Sequence, residues 1–332
     1  MMFEGKKILI TGGTGSLGQA LTKRLLNLDV DTVRIFSRNE NKQVTMDSQI
    51  SDDRLRFFIG DIRDLPRLTT ALEDVDIVFH AAALKHVPVV EYNPFEAIKT
   101  NVIGSQNVID ACLYQNVKTV VGVGTDKAVS PLNTYGATKL LMEKLFVTAN
   151  NYLNKKKYQT KFIALRYGNV FGSSGSVIPK FITQIRNNKE ITITDPCMTR
   201  FSITMDEALD FILDSTKNAK PSEVFVPKLR AYSITDIKQA LVELLKDTGE
   251  KKIPVRPGEK LHETLINLDE MRLTWESDSK YVISNQYIAT GNIDENPLGM
   301  KKVNSEHAYS SDRVEKIPVS ELKQIITNDN LI

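Results

Sequence analysis

Lys7-Ile-Leu-Ile-Thr-Gly-Gly-Thr-Gly-Ser-Leu-Gly18 decides the fold. The apolar run Lys7 to Thr11 reads as a buried strand, and the amphipathic run Leu17 to Leu28 reads as the helix after it. Between them, Gly12-x-x-Gly15-x-x-Gly18 allows a tight turn and close backbone approach. Such a turn aims the free N–H groups of a helix N-terminus at a pyrophosphate. A glycine pattern alone is weak evidence; its placement between strand and helix makes dinucleotide binding the expectation.

The same alternation continues outward. Short apolar runs at Thr32 to Ser37, Leu55 to Ile59, Asp76 to Ala82, Thr119 to Gly124 and Lys161 to Tyr167 are separated by helix-length segments such as Ala97 to Gln115. This order predicts an α/β fold, a Rossmann-type doubly wound parallel sheet with ligands beyond the carboxyl ends of its strands. After Gly172 the pattern loosens. Lys189 to Thr194 and Glu223 to Pro227 read as short strands, Met205 to Lys217 and Thr235 to Leu245 as helices, with Ser233 or Thr235 as N-cap. The expected organisation is a dinucleotide-binding domain over 1–172 and a smaller mixed α/β substrate domain with a C-terminal extension over 173–332, leaving room for later segments to rejoin the first. From about Asn285 the chain is polar, with Asn-Pro and Leu-Gly turns, and a short helix is expected near Val319 to Ile326.

Composition narrows the partners. With 43 basic and 41 acidic residues the net charge is +2, so no electrostatic footprint for nucleic acid or a membrane surface is visible. No apolar run approaches the roughly 20 residues of a spanning helix, and Met1 to Lys7 lacks the character of a secretory signal. A cytoplasmic protein is expected. Cys112 and Cys197 lack a CxxC spacing, and His80, His86, His262 and His307 lack metal-ligand spacing, so neither a disulfide framework nor a metal is expected.

Cofactor contacts are expected from Gly12, Thr14, Gly15, Ser16, Leu17 and Gly18 at the turn. Further contacts are expected from Ser37, Arg38, Asn39 and Lys42 after the second strand, Asp61 and Ile62 after the third, and Ala81, Ala82, Ala83 and Lys85 after the fourth. Ser37-Arg38-Asn39 offers a cation to a 2′-phosphate where NAD usually calls for an acid, which favours NADP over NAD. Asn101, a poor helix former within a helical run, is expected to hold backbone or water near the site.

Thr125-Asp126-Lys127 and Tyr135-Gly-Ala-Thr-Lys139 place five reactive side chains within fifteen residues. Tyr135 and Lys139, four apart, share a helix face, and an adjacent ammonium lowers a phenol's pKa toward general-base use. Asp126 and Lys127 add an acid and a base beyond what simple hydride transfer requires.

These motifs resemble the extended short-chain dehydrogenase/reductase superfamily. His80-Ala-Ala-Ala-Leu-Lys-His-Val-Pro88, Thr125-Asp-Lys-Ala128, Arg166-Tyr-Gly-Asn169, Met198-Thr-Arg-Phe201 and Arg256-Pro-Gly-Glu-Lys-Leu-His262 are similar to the inverting UDP-N-acetylglucosamine 4,6-dehydratases of the pseudaminic acid pathway. The resemblance runs from about Lys6 to Ile266. It implies oxidation at sugar C4 with Tyr135 and Lys139, Thr125 on O4, loss of water across C5 and C6, return of hydride to C6, and reprotonation that inverts C5. Related glucose-nucleotide dehydratases carry Asp-Glu where this chain has Asp126-Lys127, so the resemblance makes Lys127 the C5 base and Asp126 the acid. Lys127 serves only when neutral, a state that burial and the cations Lys85 and Lys139 are expected to promote.

For a UDP-sugar, Arg200 and Arg256 offer planar forks to the diphosphate. The resemblance adds Asn169, Val177 and Lys180 near the diphosphate, Thr194 near uridine and Glu259 for ribose, while Lys85 and His86 are expected to face sugar or nicotinamide. It also implies a dimer or hexamer. A nucleotide-sugar 4-epimerase, a C5-retaining dehydratase and a non-catalytic NADP sensor are the alternative readings.

Overall fold

In the computed structural model, residues 2–151, 153–154, 157–173, 175–284 and 299–332 are described. The polar turns anticipated over 285–298 lie outside them. The chain begins β1 (Lys7–Thr11), α1 (Ser16–Leu26), β2 (Thr32–Ser37), α2 (Glu40–Ile50), β3 (Leu55–Ile59), α3 (Leu65–Ala71) and β4 (Ile77–His80). Then come α4 (Val87–Tyr92), α5 (Pro94–Ala97), a π-helical segment Ile98–Ile103, α6 (Gly104–Tyr114), β5 (Thr119–Val123), a 3₁₀ turn Asp126–Ala128, α7 (Thr134–Ala149) and β6 (Lys161–Leu165).

The second half runs β7 (Asn169–Val170), α8 (Val177–Arg186), β8 (Ile191–Ile193), β9 (Thr199–Ile203), α9 (Met205–Asn218), β10 (Val224–Pro227), β11 (Ala231–Ser233) and α10 (Ile234–Leu244). It closes with β12 (Glu250–Lys252), β13 (Thr264–Ile266), α11 (Leu268–Met271), β14 (Thr274–Glu276), β15 (Lys280–Ile283), β16 (Lys301–Lys302), β17 (Tyr309–Ser310) and α12 (Val319–Asn328). Ser233 caps α10, its Oγ accepting from the Asp236 N–H at 3.0 Å.

Ten strands form the main sheet in the order β16-β14-β15-β10-β6-β5-β4-β1-β2-β3. It is parallel from β3 to β10, and β15 adds antiparallel to β10. The order reverses between β1 and β4, where a doubly wound sheet opens its crevice. Strand periodicity serves both faces: Ile8 and Ile10 of β1 join one core with Leu21 and Val33, while Leu9 joins another with Phe36, Val78 and Val120. The strands from β7 onward therefore play two parts. Strands β10, β14, β15 and β16 extend the main sheet, whereas β7, β8, β9, β11, β12, β13 and β17 form small two- and three-stranded sheets. Helices α8, α10 and α12 supply a separate core through Ile182, Ile237 and Leu322.

A buried ion network ties these parts together. The Arg166 guanidinium, 1% exposed, donates to both Glu143 oxygens at 2.6 Å and to Glu270 at 2.7 and 2.9 Å. It joins the end of β6 to α7 and α11.

Candidate active site

The crevice opens as a cavity of about 830 Å³. Gly12, Thr14, Gly15, Ser16, Leu17 and Gly18 line one end, with Ser37, Arg38, Asn39, Lys42, Asp61 and Ile62, then Ala81, Ala82, Ala83, Lys85 and His86. Gly12 has φ +69°, and a side chain there would lie 2.8 Å from the Ala82 Cα, so glycine lets the first turn nest against the end of β4. Gly15 is the N-cap of α1 with no side-chain cap, leaving first-turn N–H groups for an anion. These residues fit a dinucleotide.

Several of them also have structural duties. Asn39 caps α2, its Oδ1 accepting from the Lys42 N–H at 2.8 Å, and Ser37 Oγ accepts from Gln43 at 3.0 Å. Arg38 is more than half exposed and 3.9 Å from Asp61, which also holds Arg63 at 2.7 Å. Asn101 lies in the π segment, off the cavity wall. Its Oδ1 accepts from the Leu84 N–H at 2.8 Å, and its Nδ2 donates to Leu84 O at 2.9 Å and Thr138 at 3.0 Å. It holds backbone behind the wall.

The other end of the cavity is lined by Thr125, Lys127, Tyr135, Lys139 and Asn169. Gly136 makes this juxtaposition possible: a side chain there would collide with the Lys127 carbonyl, so only glycine lets the 3₁₀ turn sit on the first turn of α7. Asn133 caps that helix, accepting from the Gly136 N–H at 2.8 Å. Asp126 is fully buried behind the wall. Its Oδ1 accepts from Thr125 at 2.8 Å and from Lys127 Nζ at 3.1 Å, and its Oδ2 is buried without a partner.

The electrostatics correct two expectations. Burial pulls the Lys127 ammonium down, but Asp126 and then Glu263 outweigh it and carry the group above its ordinary value. Carboxylates, rather than the anticipated cations, dominate its surroundings. Burial likewise pushes the Tyr135 phenol up to about 12; Lys127, not Lys139, is the cation that opposes this. Lys139 donates instead to the Val123 carbonyl at 2.6 Å, and burial lowers its ammonium to about 8. Helical spacing alone therefore misjudged which lysine the phenol feels, because the turn before α7 delivers Lys127 to it.

The remaining expected substrate contacts are not on the wall of this cavity. Lys180 lies within the electrostatic reach of Arg256 and Glu259. Gly258, at φ +74°, turns the Arg256-Pro-Gly-Glu259 segment against Asn133, whose Nδ2 donates to the Gly258 carbonyl at 2.9 Å. Arg200 is buried and committed to the protein: it donates to the Thr199 and Leu261 carbonyls at 2.8 and 3.0 Å and sits 3.6 Å from Glu259. Thr194 donates to Met198 Sδ at 3.2 Å, and Val177 begins α8. Asn169 accepts from Lys127 Nζ at 3.1 Å, placing it at the reacting end.

The sequence reading missed two features. Met205 lines the cavity without any motif to flag it, and Tyr167, inside the Arg166–Asn169 motif, lines it without having been given a role. Glu263, one residue past the Arg256–His262 motif, brings a buried carboxylate 3.6 Å from Lys127 Nζ. Among the described residues, no group of three or more His, Cys, Asp or Glu could hold a metal ion, and no helix is long and apolar enough to cross a membrane.

Sheet order, glycine turn and the Thr125, Tyr135 and Lys139 constellation define a Rossmann-type protein of the short-chain dehydrogenase/reductase kind. Residues 8–285 match the family described as polysaccharide biosynthesis protein, and the chain belongs to that family. It is 48% identical to a UDP-N-acetylglucosamine 4,6-dehydratase (inverting) of Campylobacter jejuni, over 94% of each chain. A UDP-glucose 4-epimerase of Rickettsia felis is 39% identical over 98% of this chain and 97% of its own. Among solved structures, Pen from Bacillus thuringiensis superposes with a TM-score of 0.90 at 38% identity, covering 99% of this chain and 100% of that one.

Proposed function

We propose that this chain is a C5-inverting UDP-N-acetylglucosamine 4,6-dehydratase, a hydro-lyase yielding UDP-2-acetamido-2,6-dideoxy-β-L-arabino-hex-4-ulose. The observation that carries the reading is the Asp126-Lys127 ion pair set beside Thr125 and Tyr135 at the cavity end; the Campylobacter relative supports the substrate and the stereochemistry. A nicotinamide dinucleotide, NADP ahead of NAD, supplies the hydride acceptor and donor when bound; the glycine turn, Arg38 and the lack of an acid in Ser37-Arg38-Asn39 support it.

Thr125 and Tyr135 hold the sugar O4, and Tyr135 takes its proton in the phenolate form, which the adjacent Lys127 ammonium stabilises. The 4-ketone so formed makes the C5 hydrogen acidic. Lys127 and Asp126 need to be amine and acid at that moment, although they rest as ammonium and carboxylate. Moving one proton across their 3.1 Å contact produces the working pair without changing its total proton count. Lys127 then takes the C5 proton, and Asp126, behind the wall, passes its proton through the Thr125 hydroxyl at 2.8 Å to the C6 oxygen as the C6–O bond breaks and water leaves.

Proton NMR of the product made in deuterated water tests this reading. The expected product is lighter by one water than its precursor, deuterated at C5 and L-configured. A D-configured product would instead establish the retaining enzyme, and a C4 epimer of unchanged mass the epimerase.

A further inference from the structure

Glu263 is 3% exposed, lies outside the sequence motifs, and is held by parts of the chain distant from it. Its N–H donates to Ser311 Oγ at 2.9 Å, and its carbonyl accepts from the Ser311 N–H at 2.8 Å. Ser311 is fully buried and shares a hydrogen bond of 2.7 Å with Thr199 Oγ1, which in turn meets His262 Nδ1 at 2.8 Å. These bonds aim the carboxylate inward. Oε1 lies 3.6 Å from Lys127 Nζ and 3.9 Å from Arg200 Nε, while Oε2 is buried without a hydrogen-bond partner.

A buried carboxylate with an unsatisfied oxygen carries a desolvation cost that a neutral side chain would avoid. Glu263 also faces the buried Arg200 guanidinium, but Lys127 already has Asp126 and Asn169 at 3.1 Å, so the resting Lys127 does not by itself call for a second carboxylate. The proposed reaction does. Between the two proton transfers Asp126 is a neutral acid while Lys127 has become an ammonium, and Glu263 is then the carboxylate left facing the new charge.

We propose that Glu263 is a positioning residue that fixes the direction of Lys127 Nζ and compensates the charge that Lys127 acquires on taking the C5 proton. The step balances: the C5–H bond breaks, its electron pair enters the C4–C5 enolate, and the proton forms the third N–H bond of Lys127. Glu263 exchanges no proton. The inference rests on the dehydratase reading for its reaction step, but the Lys127–Glu263 coupling is testable without it. Other groups facing Lys127 are Asp126 on its own turn, Asn169 of β7, Arg200 of β9, Tyr135 of α7, Tyr232 of β11, Lys85 after β4, and Lys260.

The test compares Glu263→Gln and Glu263→Asp with the parent protein. In Glu263→Gln, C5 exchange in deuterated water slows about tenfold while cofactor reduction on mixing with UDP-N-acetylglucosamine keeps its rate; Glu263→Asp recovers part of the loss. The alkaline limb of kcat/KM moves to lower pH by about one unit, because a removed anion within about 4–6 Å favours the neutral amine. Direct titration of Lys127 by NMR of isotopically labelled lysine gives the same downward shift with no substrate present. An unmoved Lys127 titration, or equal slowing of C5 exchange and cofactor reduction, overturns the proposal. Should the parent protein fail to release water while Lys127 still moves in Glu263→Gln, the dehydratase reading falls and the positioning link stands.

Discussion

The two ends of the cavity are built in opposite ways. The dinucleotide end comes from one continuous stretch of chain, β1 through β4, in which each contact follows a strand and sits on its carboxyl edge. The reacting end is gathered from the turn after β5, the start of α7, β7, and the segment before β13, with Ser311 closing behind Glu263. The first end is a repeat of one local device, and its residues can be named from spacing. The second is a convergence of charges whose meaning depends on what the fold places next to them. Lys127 and Lys139 make the contrast concrete: one is an ammonium held up by two carboxylates, the other an ammonium pushed down by burial.

The largest effect that separates the ends is expected for Lys127→Ala. Loss of a general base costs roughly 10²- to 10⁴-fold in turnover, while cofactor affinity, measured by calorimetry, stays within a few-fold of the parent. Equal loss of cofactor binding would break the division between the two ends.

Arg38→Ala probes the opposite end with a smaller expected effect. NADP affinity falls about tenfold, as for loss of one charge-assisted contact to phosphate, whereas NAD affinity and C5 exchange with bound cofactor are unchanged. NADP binding that is indifferent to Arg38 would move the cofactor preference to NAD.

The smallest effect is on stability and concerns Lys139. Burial holds its ammonium at about 8 in the folded protein, against an ordinary value of 10.5. Between those values the unfolded chain binds more protons, so the destabilisation is complete below pH 8 and fades as pH rises toward 10.5. Lys139→Met is therefore expected to raise the Tm of the cofactor-free protein by a few degrees at pH 7, a gain that shrinks steadily from pH 8 upward in thermal melts. A gain independent of pH would assign the effect to packing.

Much of the fold was legible because its signals are local. Lys7–Thr11, Thr32–Ser37 and Leu55–Ile59 were delimited by their apolar runs, and helical periodicity marked Met205 to Lys217 of the helix Met205–Asn218. The short strands β7 and β11 carry too little periodicity to be read, whereas β8, also of three residues, falls inside the run Lys189 to Thr194. The return of β10, β14, β15 and β16 to the main sheet was not specified by sequence, since pairing partners are set by tertiary contacts. At the site, motifs pointed to Asp126, Lys127, Tyr135 and Lys139. Glu263 escaped because a lone Glu beyond a motif looks like any surface charge until its burial is known.

By itself the sequence determined the glycine turn, the order of the first strands and the side chains available for proton transfer, because backbone freedom and hydrophobic period act between near neighbours. Only the tertiary structure decided the charge state of Lys127 and which lysine the Tyr135 phenol feels. Those depend on burial and on carboxylates within 4 Å of the ammonium, one from its sequence neighbour Asp126 and one from Glu263, which only the fold brings to it. Electrostatic energy follows distance through the folded molecule, and distance along the chain does not report it.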